Sequence, residues 1–105
     1  MNDRELTELA AKAAECYDLG DWDDKWNCLT NYEGWTFDPL TDDGDALRLV
    51  VKLEMTVRSF GHLVSVMAPH QYQVDEYANG DTCAATRRAI VRAAAEIGRT
   101  MNGDA

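Results

Sequence analysis

The chain has 105 residues and carries 19 Asp and Glu against 10 Lys and Arg, a formal net charge of −9. That length suits one domain with a single core, because chains divide only beyond about 250 residues. Hydrophobic residues at 46% argue against a disordered polyanion, and the negative balance argues against general nucleic-acid binding.

The first expected helix starts at Asn2, a capping residue with Glu5 three positions on, as in an asparagine analogue of the capping box. Leu6, Leu9, Ala10, Ala13 and Tyr17 follow at helical spacing, and Gly20 is a natural stop. Residues 21–37 change period from helical to two. Trp26 and Cys28 alternate with Asn27, Trp35 and Phe37 flank Thr36, and Asn31-Tyr32-Glu33-Gly34 reads as the turn between two short strands. Pro39 ends the extended run. Thr41 or Asp42 then caps a second helix, with Asp43 and Asp45 near its positive end. Ala46, Leu47, Leu49, Val50, Val51 and Leu53 leave only a narrow polar strip with Arg48 and Lys52, so this helix is expected at the centre of the core.

Three strands follow at Thr56 to Phe60, Leu63 to Ala68 and Tyr72 to Tyr77, broken at Gly61-His62 and Pro69-His70. Asn79-Gly80 is a turn dipeptide, and Asp81 or Thr82 caps a last helix running to about Met101. Cys83, Thr86, Ile90, Ala93, Ala94 and Ile97 are placed on its buried side, and Asn102-Gly103 ends it. The order is α-β-β-α-β-β-β-α. It predicts an α+β protein, an α/β/α sandwich whose three helices bracket a small, largely antiparallel sheet.

Two blocks, 37–49 (FDPLTDDGDALRL) and 84–98 (AATRRAIVRAAAEIG), together with the opening 6–14 (LTELAAKAA), resemble small bacteriophage and prophage proteins of the phage ABA-sandwich family, itself similar to the NinX-like phage proteins. The resemblance covers roughly half of the chain. Asp38 stands where the family block more often has Asn, and Met55 to Tyr77 match only in character. The resemblance implies a sandwich fold encoded by a phage or prophage and brings no catalytic residues with it.

Four constellations are candidates for chemistry. Asp38, Asp42, Asp43 and Asp45 invite a cation. Counting back from Gly44 as the central glycine of an EF-hand loop puts Pro39 and Thr41 at ligand positions, so that spacing fails and helix capping is the simpler account. Cys83 lies near a helix start, where thiols are activated, but nothing in the spacing brings His62 or His70 to it as a base. A buried cysteine is the ordinary alternative. Trp22, Trp26, Trp35 and Phe37 suit either a packed sheet face or a partner surface, with Trp22 the most exposed by its aspartate neighbours. Arg88, Arg92 and Arg99 share one side of the last helix, whose four arginines and one Glu leave a net +3. Either phosphate or an acidic partner docks there, or the chain's own acids pair with them within or between subunits, with favourable charge near the helix C-terminus.

The three cysteines, Cys16, Cys28 and Cys83, form an odd set without a C-x-x-C pair, as expected of reduced thiols. Met1 to Glu8 lack a basic segment followed by an apolar one, so a soluble protein of the bacterial cytoplasm is expected. The expected function is that of a non-catalytic phage accessory protein that binds a host or phage protein, without cofactor, metal, nucleic acid or membrane. Trp22, Trp26, Arg88, Arg92 and Arg99 are the candidate partner surface. A rival reading is a DNA mimic that inhibits a host nuclease or defence factor, since residues 1–45 hold 13 acids and 3 bases, a net −10. An enzyme using Cys83 or an acidic metal site is a third. A homodimer through the alanine-rich last helix is a fourth.

Overall fold

A computed structural model describes residues 2–14, 21–23, 28–30, 36–69 and 72–101; for 21–23, 28–30 and Tyr72 the description is of the backbone. Among the described residues there are three helices, α1 (Asp3–Ala13), α2 (Asp43–Lys52) and α3 (Thr82–Met101), and six strands, three between each successive pair of helices. These are β1 (Asp21–Asp23), β2 (Cys28–Thr30), β3 (Thr36–Phe37), β4 (Thr56–Ser59), β5 (Leu63–Ala68) and β6 (Tyr72–Tyr77). Two antiparallel sheets result, ordered β1-β2-β3 and β4-β5-β6. The α+β class is that expected. The described parts of residues 21–37 hold three strands where two are expected, because strands of two or three residues are too short for a period of two to separate them. The turn expected at Asn31 to Gly34 lies outside the described residues.

Local chemistry sets the element ends. The Asn2 side chain accepts from the Glu5 amide at 2.8 Å and caps α1. Asp42 caps α2 through the Gly44 amide at 3.0 Å, and Asp81 caps α3 through the Ala84 amide at 2.9 Å. Between β4 and β5 the loop is Gly61-His62, closed by the Phe60 amide donating to the Leu63 carbonyl. Gly61 takes φ +86° there, a conformation closed to most side chains.

Helix α2 ends in a Schellman pair. The Met55 amide donates to the Val50 carbonyl and the Glu54 amide to that of Val51, with Glu54 at φ +53°. That position favours glycine. Exposed Glu54 has no partner for its side chain among the described residues, so Glu54→Gly is expected to stabilise the protein by roughly 0.5–1 kcal/mol in urea unfolding. An unchanged or lower midpoint would show that the αL backbone is not the controlling cost.

Helix α3 is the hub. Ala85, Ala89, Ile90, Val91, Ala93, Ala94, Ala95 and Gly98 are buried, so nearly its whole circumference is covered. One side packs on β5 and β6, meeting Val64, Val66, Ala68 and Val74 of the inner sheet face; α1 and α2 cover the remainder. Asp3 pairs with Arg88 while Leu9 lies against Gly98, so α1 and α3 run in the same direction. Small side chains permit this approach: Ala10, Ala11 and Ala14 belong to the same core.

Two expectations are corrected here. The centre of the core is α3 rather than α2, in which only Asp45, Ala46 and Leu49 are buried while Leu47 and Val51 are 60% and 72% exposed. A ten-residue helix with one covering neighbour buries one stripe, whatever its composition. Cys83 is exposed, because it sits in the first turn of α3, before the helix reaches its neighbours. The described helices gather on the inner face of the β4–β6 sheet, leaving the outer face uncovered by any described residue.

Candidate functional site

The acidic block is a structural clasp. Asp45, buried at the start of α2, reaches back to accept from the Asp38 amide at 2.8 Å and pairs with Arg48 at 3.1 Å. Asp38 in turn accepts from the Thr41 hydroxyl, and its carbonyl accepts from the Thr41 and Asp42 amides. From α3, Arg87 donates to the Leu40 carbonyl at 2.9 Å and pairs with Asp43 at 2.7 Å, tying the clasp to the hub. Burial pushes the Asp45 carboxyl above its ordinary range. The Asp38 amide opposes that rise, the nearby Asp42 charge adds to it and Arg48 opposes it. No cluster of metal-ligating side chains is present among the described residues.

Each arginine of the expected stripe meets a carboxylate of this chain. Arg88 pairs with Asp3 at 2.9 Å, Arg92 with Glu76, and Arg99 with Glu96 at 2.7 Å. All three are partly solvated, where such pairs contribute little to stability but reduce the charge offered outward. The acids of the N-terminal half are similarly engaged. Among residues 1–45, all the acids with described side chains except Glu5 cap, pair or hydrogen-bond within the chain. Trp22 lies on β1, described as backbone; Trp26, Trp35 and His70 lie outside the described residues. Phe37 is buried in the core. His62 and Cys83 are both exposed, and the Thr82 hydroxyl reaches the Gly61 carbonyl at 3.4 Å, bringing the two loops side by side. Neither side chain has a hydrogen-bond partner among the described residues.

A surface not expected from the sequence lies on the outer face of the β4–β6 sheet. The ladder registers arrange it in three rows across the strands. One row is Thr56, Met67 and Gln73, and the middle row is Arg58, Ser65 and Asp75. The third is Phe60, Leu63 and Tyr77, aligned by the Phe60–Leu63 hydrogen bond and the Leu63–Tyr77 register. Phe60, Met67 and Tyr77 are 50%, 48% and 70% exposed, and the face holds a shallow groove of about 310 Å³. The Arg58 guanidinium lies 5.3 Å from the Phe60 ring centre, a cation–π contact that holds both side chains over the sheet. One signal could have revealed this face. Strand β5 is apolar on both parities, with Val64, Val66 and Ala68 inward and Leu63 and Met67 outward. A strand covered on one side only would alternate with polar residues.

No protein-family model, curated protein or solved structure is found to match this chain.

Proposed function

We propose that the chain is a non-catalytic protein-binding module, an accessory protein of a phage or prophage, and that it binds through the outer face of the β4–β6 sheet. The observation that supports this most is the set of large apolar side chains, Phe60, Met67 and Tyr77, held in solvent on a rigid antiparallel sheet. Aromatic anchors beside an arginine are the composition of interface centres, whereas isolated exposed apolar residues are ordinary. The chemistry-bearing residues lean the same way. The acids of the 37–49 block are spent on capping and clasping.

The phage attribution rests on the resemblance of the 37–49 and 84–98 blocks. The test is comparative capture from a phage-infected or lysogenic bacterial host with the wild-type protein and with Tyr77→Glu as baits. Tyr77 is exposed and remote from the core, so the variant should fold as the wild type does. A specific partner retained by the wild type and reduced at least 10-fold by the variant is the expected result. An identical set of proteins on both baits would sink the assignment to this face.

A further inference from the structure

The three rows of the outer face have a property that individual residues do not: they are complementary to themselves. Taking that face to be a docking surface, as proposed above, we infer that its occupant is a second copy of this chain, packed face to face about a two-fold axis parallel to β5.

The argument starts from charge. In a molecule of net charge −9, this face is neutral, with Arg58 on one edge strand and Asp75 on the other. They stand two strand spacings apart, about 10 Å between backbones, and no ion pair joins them among the described contacts. Arg58 makes its described contact with Phe60, and among the described residues the Asp75 carboxylate accepts from Gln73, at 3.2 Å. Rotation by 180° about an axis along β5 exchanges the two edges and keeps each row at its own level. Arg58 of one copy then faces Asp75 of the other, twice, with Ser65 opposite Ser65 between them.

The flanking rows obey the same operation. Phe60 faces Tyr77, Leu63 faces Leu63, Met67 faces Met67, and Thr56 faces Gln73. Aromatic meets aromatic, aliphatic meets aliphatic, and polar meets polar. The other in-plane axis, perpendicular to the strands, places Arg58 against Arg58 and Asp75 against Asp75, and like-charge juxtaposition selects against it. Sheets packed face to face at about 10 Å with strands near-aligned are a standard arrangement, and isologous two-fold contacts are the commonest in homo-oligomers.

The face is small. Strand β4 has four residues and β5 and β6 six each, so the face spans roughly 14 by 20 Å, about 300 Å² a copy, and the contact is of the weak, transient class. Dimerisation should therefore be weak, with a Kd of roughly 10–200 µM, and stronger in moderate salt, which screens the repulsion between two acidic molecules.

Sedimentation velocity of the purified protein alone, between about 5 and 500 µM in moderate salt, reads the equilibrium directly. The wild type should shift from monomer to dimer over that range. Arg58→Asp and Asp75→Arg should each weaken dimerisation at least 10-fold, because each sets like charges opposite one another. The double variant R58D/D75R should recover to within about 3-fold of the wild type, and an equimolar mixture of the two single variants should form the mixed dimer. Recovery excludes misfolding as the cause of the single-variant losses. A wild type that stays monomeric, or dimerises with no response to the swaps, or whose losses the double variant does not recover, overturns the inference. If the monomeric wild type still captures a Tyr77-dependent partner, self-pairing alone is overturned; if that capture also fails, the binding-module reading falls with it.

Discussion

Replacing Gly98 by alanine is expected to destabilise the protein by about 3 kcal/mol and to lower Tm by roughly 15 °C. Helix propensity alone predicts the opposite sign, since alanine is favoured over glycine inside a helix by about 1 kcal/mol. Packing decides the matter. A Cβ on Gly98 would stand 2.0 Å from the Leu9 carbonyl oxygen and 2.8 Å from its carbon, well inside contact distance. Both atoms belong to the α1 backbone, so no rotamer change relieves the clash and α1 has to move away from α3. That movement loosens the contact around Ala10 and Ala14, where small side chains depend on close approach for their dispersion contacts. Trimming the neighbouring side chain, as in G98A with Leu9→Ala, should recover nothing because the obstacle is main chain. Thermal unfolding by circular dichroism checks both variants. A Tm for Gly98→Ala at or above that of the wild type would show that the helices are not packed this closely.

Removing the Asp45 carboxylate should have the second large effect, with a size that depends on how it is removed. Asp45→Ala leaves the Asp38 amide without its acceptor and breaks the Arg48 pair, at a cost of about 1–3 kcal/mol. Asp45→Asn retains an oxygen for the Asp38 amide and cannot ionise, so its loss at neutral pH should be much smaller. The two substitutions also separate the charge from the hydrogen bond through pH. The folded-state pKa of Asp45 is raised above the ordinary value of 3.8, so the folded state holds its proton more tightly than the unfolded chain. The stability this group contributes is fully present below pH 3.8 and is lost as pH rises through the folded pKa. Relative to Asp45→Asn, the wild type should therefore gain stability on acidification through that window and lose it towards neutrality. Urea unfolding of both proteins across the acidic range measures the difference. Parallel stability curves would mean that the carboxyl is not desolvated in the folded protein.

Where a structural decision is made within a few residues, the sequence carried it openly. Asn2, Asp42 and Asp81 cap their helices because a short polar side chain there reaches an amide two or three residues on. Strands β5 and β6 have their expected bounds because Gly61-His62, Pro69 and Asn79-Gly80 interrupt them. Decisions made between distant segments were not legible. The apolar run of α2 gives no sign that Leu47 and Val51 stay in solvent, because the number of neighbours a helix receives is not written in its own residues. Nor could the spacing of Arg88 and Arg92 show that Asp3 and Glu76 would meet them, since those acids lie 85 and 16 residues away. The outer sheet face went unread for a similar reason. Its three rows exist only once three strands are in register, and along the chain Arg58, Ser65 and Asp75 share no motif.

The pairing of α1 with α3 also bears on how the chain is made. Helix α1 has its main packing partner in α3, which is made much later, and Leu9 waits for Gly98. Until then the alanine, leucine and valine surface of α1 and of the inner face of the β4–β6 sheet lacks its main described cover. Folding is thus delayed until synthesis has passed α3, and closing so long a loop slows the search for the native contact. In the interval the nascent chain is a substrate for chaperones and a target for aggregation, and stalling or truncation before α3 removes the hub on which α1, α2 and the β4–β6 sheet pack.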